Sequence, residues 1–255
     1  MKIFLLAGTS DARALALEIQ QTGYDVLATV VTENAALELR NSGLNVRTGR
    51  LTSEEMASFI CENEFSVVVD ASHPFAEEAS KNAIDAAKQC GVPYIRYERD
   101  SQTFAYENMT VVDSYEEAAE VAAKKKGVIM LTTGSKTLDI FTERLLEVPD
   151  TRLIARMLPR VDNMEKCERL GLPQKNIVAI QGPFTKEFDK ALYRQYGVTV
   201  MVTKESGRVG SVDEKVEAAK ELGIDIILIG RPVIDYGTVY SEFSDVIQAL
   251  QKASL

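Results

Sequence analysis

The chain of 255 residues contains a single histidine, His73, and only three cysteines, Cys61, Cys90 and Cys167. So few soft ligands, this far apart, form no zinc site, and no metal is expected. An odd cysteine count at these spacings offers no disulfide framework either. Low-complexity segments are absent, as is any apolar span long enough for a membrane helix. Residues 3–7 are apolar, but they are too short for a signal-peptide core and polar residues follow at once. A cytoplasmic protein with no membrane partner is expected. Basic residues are in the minority, 29 Lys and Arg against 38 Asp and Glu, for a net charge of −9. The deficit holds on both sides of residue 99, with 9 basic against 14 acidic before it and 20 against 24 from residue 100 onward. Neither part is a basic module, which argues against nucleic acid and anionic membranes as partners.

What the chain does have is the composition of a globular protein, 45% hydrophobic and 26% charged. Its length suits one large domain or two of about 100–150 residues. Strand and helix signals alternate almost throughout. Short apolar runs at 2–7, 25–31, 45–47, 66–70 and 93–96 read as strands. Between them lie helical patterns at 10–21, 34–41, 52–62 and 74–89, with Ser10 as an N-cap and Gly91 as a C-cap. Residues 100–108 show neither periodicity and read as a linker. Strands are then expected at 110–112, 128–132, 152–156, 177–180, 199–202 and 225–229. The matching helices are 114–125, 136–146, 163–170, 186–195, 212–222 and 240–252. This is the pattern of doubly wound parallel sheets. The expected fold is α/β with two Rossmann-like domains, 1–99 and 109–255, each a mainly parallel sheet flanked by helices, with the active-site cleft between them.

The stretch SVVVDASHPFA (66–76) carries the strongest local signal. A β-branched run reads as a strand buried on both faces and ends in Asp70. Pro74 suits the first turn of a helix, where Glu77 and Glu78 would meet the positive end of the dipole. His73 therefore sits in a loop at the carboxyl end of a parallel strand, where open α/β sheets bind ligands. The alternative is a capped turn with His73 as a hydrogen-bonded surface residue.

The first strand–loop–helix, AGTSDAR (7–13), sits where a dinucleotide-binding protein places its phosphate loop, but only Gly8 of the three-glycine fingerprint is present. Thr9 and Ser10 supply hydroxyls, and Arg13 puts a cation in the first helical turn. That cation is unfavourable against the dipole unless an anion lies nearby. At the end of the second strand, Thr32 and Glu33 offer an acidic group for a ribose hydroxyl. In the second half, Thr132-Thr133-Gly134-Ser135-Lys136 follows a strand and opens a helix, again ready for an anion. Arg156 and Arg160, Lys204 and Ser206, and Arg231 stand at other strand ends beside Gly or Pro. Cationic strand ends in an acidic protein suit a polyanionic small molecule. The Ser, His and Lys residues lie on different loops and spell no hydrolytic triad.

These segments, with YIRYER (94–99), MLTTGSK (130–136), ARMLP (155–159), QGPF (181–184) and TKESGRVGSVDEKVEAAKELGI (203–224), resemble the precorrin-6A and cobalt-precorrin-6A reductases of cobalamin biosynthesis. The resemblance runs in order from the first strand to Pro232. It implies an oxidoreductase that takes hydride from NADPH or NADH and reduces one double bond of a tetrapyrrole-derived macrocycle rich in carboxylate arms. By position it assigns Gly8, Thr9, Ser10, Arg13 and Ser72 to the cofactor, with Ser72 and His73 near the nicotinamide as the catalytic pair. Ser135, Lys136, Arg156, Lys204, Ser206 and Arg231 fall to the substrate. A methyltransferase of the same pathway would carry a more glycine-rich first loop. A non-catalytic two-domain binding protein would use the same site with no hydride donor.

Overall fold

Aliphatic runs that are apolar on both faces and too short for helices become the inner strands of two parallel sheets. The computed structural model describes residues 1–99, 106–205 and 212–253. The first sheet unit begins with β1 (Lys2–Leu6), α1 (Ser10–Gln21), β2 (Asp25–Val30), α2 (Glu33–Asn41) and β3 (Asn45–Thr48). It continues with α3 (Ser53–Glu62), β4 (Val67–Asp70), α4 (Glu77–Cys90) and β5 (Tyr94–Tyr97). The second comprises β6 (Met109–Val112), α5 (Tyr115–Lys125), β7 (Gly127–Leu131), α6 (Leu138–Leu145), β8 (Thr151–Met157) and α7 (Val161–Arg169). After β9 (Ile177–Ala179) come α8 (Lys186–Tyr196), β10 (Val200–Lys204), α9 (Val212–Glu221) and β11 (Asp225–Ile229). The chain closes with β12 (Val239–Tyr240) and α10 (Phe243–Ala253).

The first sheet runs β12-β5-β4-β1-β2-β3 and the second β6-β11-β10-β7-β8-β9, with every pairing parallel. In each, the connections wind one way and then the other. The reversal falls between β1 and β4 in the first sheet and between β7 and β10 in the second, and such switch points are where ligands bind.

The division of the chain differs from the one expected at the carboxyl end. The two units are Met1–Asp100 with Pro232–Leu255, and Ser101–Arg231. Residues 232–255 therefore leave the expected second domain and complete the first. β12 adds a sixth strand beside β5, and Val246 and Leu250 of α10 enter the core with Ile3, Leu5, Leu15 and Ile19. Tyr240 lies in that strand, so the last helix starts at Phe243 and not at 240. At the other boundary, Tyr106–Asn108 belong to the second unit and not to a linker. The Tyr106 hydroxyl donates to the Ile224 carbonyl (3.0 Å), and Asn108 accepts from the Ile226 amide (2.9 Å). Residues 100–105 of the expected linker lie outside the described residues.

Helix caps and starts also differ from the expected ones at several places. Thr9, not Ser10, caps α1: its backbone is extended and its Oγ1 accepts from the Ala12 amide (3.0 Å). Pro74 does not open α4, because residues 73–76 close a turn of their own, the Ala76 amide donating to the His73 carbonyl (2.8 Å). Glu77 and Glu78 still occupy the first turn. The helix expected from 136 starts at Leu138, after a turn in which the Leu138 amide donates to Ser135 O. The absence of a disulfide is also overturned. Cys61 of α3 and Cys90 of α4 are joined, 29 residues apart in sequence but on neighbouring helices with Cα atoms 5.8 Å apart.

Candidate active site

At the first switch point the loops after β1 and β4 are neighbours, the Ala71 amide donating to the Leu6 carbonyl. Gly8 holds φ at +151°, and nothing stands within 4 Å of where a Cβ would be. A side chain is disfavoured there by the backbone, while the space beside the glycine stays open to a ligand. Ser10 and Asp11 occupy the first two positions of a twelve-residue helix, so their amides have no carbonyl partner within it. This backbone fits a phosphate despite the missing glycines. Arg13 points to α2, with its guanidinium 3.7 Å from the Glu38 carboxylate and its side chain 41% exposed. Glu33 is already engaged, accepting from Thr48 Oγ1 (2.6 Å) and Arg40 (3.0 Å). Those two contacts hold its carboxyl below the usual range.

The second loop rests on a buried polar network. Register places Asp70 directly opposite Arg96 on β5, and both side chains are fully buried with Nη1 to Oδ1 at 2.9 Å. Asp70 Oδ1 also accepts from the Ser72 amide (3.0 Å) and hydroxyl (2.6 Å), and Oδ2 accepts from the Tyr94 hydroxyl (2.7 Å). Arg96 donates to Ser72 Oγ (3.2 Å) and doubly to Glu98 Oε2 (3.0 and 2.7 Å), with Tyr236 stacked over its plane at 4.8 Å. Burial alone would raise the Asp70 carboxyl, but Arg96 and the Ser72, Ser80 and Tyr94 hydrogen bonds win and hold it below 3.8. Burial and the adjacent Asp70 charge push the Tyr94 phenol up. Ser72 is thereby fixed from three sides. His73, half-buried beside it, accepts the Phe75 amide at Nδ1 (3.2 Å). On the far side of the switch point, Asp11 pairs with Arg99, which follows β5.

The second unit gathers cations at the corresponding edge of its own sheet. Arg156, 6% exposed at the end of β8, pairs with fully buried Asp189 of α8, and Phe184 covers the guanidinium at 4.5 Å. The other carboxylate oxygen, Asp189 Oδ2, is buried without a partner among the described residues. Burial, then the charge of Lys136, lowers the Lys204 ammonium. Arg231 lies 3.3 Å from Glu205, both nearly buried. Ser135 donates to Asn163 Oδ1 (2.6 Å), which fixes the loop after β7 to α7. Two buried hydroxyls, Thr133 Oγ1 and Thr203 Oγ1, have no hydrogen-bond partner among the described residues. Unsatisfied donors beside clustered cations fit an anionic, hydrogen-bonding ligand.

The expected residues thus fall into two groups. Gly8, Thr9, Ser10, Ser72 and His73 meet at the first switch point, while Arg13 turns toward α2. Ser135, Lys136, Arg156, Lys204 and Arg231 lie at or next to the carboxyl ends of the second sheet, and Ser206 lies outside the described residues. Arg96, Glu98, Tyr236 and Asp189 were missed. The signal for Arg96 was present, a charge inside the apolar strand YIRY beside a strand ending in Asp70. Asp189 and Tyr236 gave none, since only the fold brings them to their partners.

Two six-stranded parallel sheets, each wound both ways with its polar groups at a switch point, define a Rossmann-like α/β enzyme. The family model for precorrin-6x reductase CbiJ/CobK matches residues 2–252, and the chain belongs to that family. It is 73% identical over 248 residues to a cobalt-precorrin-6A reductase of Priestia megaterium, covering 97% of each chain. To that of Methanothermobacter thermautotrophicus it is 35% identical, covering 99% of this chain and 84% of the relative. The solved structure of CobK precorrin-6A reductase superposes with a TM-score of 0.82 at 25% identity, covering 99% and 97% of the two chains.

Proposed function

We propose that this chain reduces cobalt-precorrin-6A to its dihydro form, using NADPH or NADH in the cytoplasm. The observation that carries the reading is the family match along residues 2–252. The two polar strand edges agree with it, one fitted to a phosphate and the other to carboxylates. Among the described residues no helix is long and apolar enough to cross a membrane. The nicotinamide supplies a hydride when bound. Gly8 and the Thr9–Asp11 amides take its phosphates, and Ser72 and His73 lie toward the ring. Arg156, Lys204 and Arg231 hold carboxylate arms of the macrocycle, with Ser135 and Lys136 at the rim. Reduction adds hydride to one carbon and a proton to its neighbour. Water can deliver that proton, and His73 orders the loop from which the ring is approached.

Anaerobic incubation with cobalt-precorrin-6A and with precorrin-6A, each with NADH and with NADPH, tests the proposal. Substrate-dependent loss of dihydronicotinamide absorbance is expected with the cobalt form. Binding without loss of absorbance would leave a non-catalytic protein.

Two substitutions probe the first switch point. Arg13→Ala is expected to weaken nicotinamide nucleotide binding by less than about 5-fold, because its guanidinium faces Glu38 and a contact from so exposed a side chain is worth about 0.2–1 kcal/mol. Equal binding of both nucleotides by variant and parent would remove Arg13 from the site. His73→Ala is expected to lower turnover by about 10-fold and leave the pH profile unchanged in shape, since a general acid would contribute ~10²–10⁴-fold. Disappearance of one ionisation from the pH profile, together with a loss above about a thousandfold, would make His73 the proton donor.

A further inference from the structure

Cys61 and Cys90 are joined, yet the bond has no place in the reaction. Cys61 stands in the last turn of α3 and is exposed, and Cys90 is the last residue of α4 and half-buried. Apolar packing brings these helices together without help from sulfur. Met56, Ala57 and Ile60 of α3 share one core with Ala83, Ala86 and Ala87 of α4. That core keeps the cysteines neighbours whether or not they are bonded, with Cα atoms 5.8 Å apart in the bonded form. Cys90 Sγ also lies 3.1 Å from the Ala57 carbonyl oxygen, an acceptor for the thiol proton that reduction would create. Between the two cysteines run β4, Ser72, His73 and α4, so the bond closes a ring around the second loop of the first switch point.

We propose that Cys61 and Cys90 form a reversible thiol–disulfide site, oxidised by low-molecular-weight disulfides and reduced by thiols. Its oxidised form steadies the segment that carries Asp70, Ser72 and His73. Exposure makes Cys61 the attacking sulfur and leaves the finished bond open to thiols, where a buried bridge would be permanent. The Cys61 thiolate attacks one sulfur of the small disulfide, which forms a mixed disulfide and releases one small thiol. The Cys90 thiolate then attacks the Cys61 sulfur, and the second small thiol leaves. Two electrons pass from the protein to the small disulfide, and the two thiol protons end on the two released thiols. Excess thiol runs the same steps backward. The bond acts mainly by restricting the unfolded chain, so its loss lowers stability and leaves the folded site in place. Cys167, the remaining cysteine, is buried away from the pair.

The test equilibrates the parent protein, without denaturant, in glutathione buffers from fully reducing to fully oxidising. Free thiols are then alkylated and mapped by peptide mass spectrometry. Cys61 and Cys90 are expected to lose and regain alkylation together as the buffer is cycled. A bond that opens only in denaturant is a permanent cross-link and overturns the proposal, as do thiols that never pair in oxidising buffer. In oxidised glutathione, Cys90→Ser should trap one glutathione on Cys61, whereas Cys61→Ser should leave Cys90 far less modified; the reverse pattern overturns the order of attack. The reduced parent is expected to unfold roughly 5–15 °C below the oxidised one, the shift for opening a loop of this span. Hydrogen exchange should be faster in the reduced protein over residues 62–89 and unchanged over 106–205. Equal unfolding midpoints and equal exchange in the two forms would overturn the stabilising role.

Discussion

Arg96→Met is expected to lower the stability of the protein by about 3–5 kcal/mol, the cost of removing one partner from a buried ion pair. The loss is large because the guanidinium serves two carboxylates. Without it, Asp70 remains fully buried without its counter-charge, and Glu98, itself nearly buried, loses a paired cation. Adding Asp70→Asn to the Arg96→Met protein should recover part of the stability, since a neutral amide needs no cation. Urea unfolding of the parent, the two single variants and the double variant closes the cycle. Additive losses would show that the pair is not coupled. The same network sets an acid limit. Asp70 titrates below its ordinary 3.8 in the folded chain, so its contribution is complete above that pH. It is lost as pH falls through the lower folded value. Unfolding midpoints followed downward from pH 5 should therefore drop more steeply in the parent than in Asp70→Asn.

Arg156→Met is expected to raise KM for the macrocycle by roughly 10–150-fold while nucleotide affinity is unchanged. Burial decides both the size and the salt response. Arg156 is 6% exposed and shielded by Phe184, so its field would reach a bound carboxylate arm through little water. Lys136 is exposed, and a contact with an arm would be worth no more than a surface pair, about 0.2–1 kcal/mol. Lys136→Ala should therefore raise KM by less than about 5-fold at low salt, from the same surface-pair value. At about 0.5 M salt, where screening acts within about 4 Å, that effect should vanish and the Arg156 effect should persist. Steady-state kinetics at two ionic strengths with both variants checks this. Equal salt sensitivity of the two would mean that Arg156 is not the buried anchor.

The alternation of apolar runs and amphipathic stretches made both sheets legible, because burial on two faces leaves a strand few polar positions. The strand-end loops were legible for the same reason: Gly8, Ser72 and Thr133 break the apolar runs where the chain must turn. The cap at Thr9 and the helix starts at 77 and 138 depended on which of two adjacent hydroxyls or turns captured a free amide, a choice of a few hydrogen bonds. The return of residues 232–255 to the first unit is a long-range event. Val246 and Leu250 form an ordinary apolar stripe until the first core accepts them. Cys61 and Cys90 likewise acquire meaning only when α3 and α4 lie side by side. Residues offered by a local motif could be proposed from the sequence, and those that reach across from another element could not. Arg96 holds Ser72 from the next strand, and Asp189 reaches Arg156 from α8.

The central claim is that this chain moves hydride from a nicotinamide to the precorrin ring. Its most direct test is a single-turnover reaction with cobalt-precorrin-6A and NADH or NADPH carrying deuterium at both positions of the transferable ring carbon, in ordinary water. Mass spectrometry of the dihydro product should show one deuterium retained. A dihydro product free of deuterium, or no product from either nucleotide, would contradict the account.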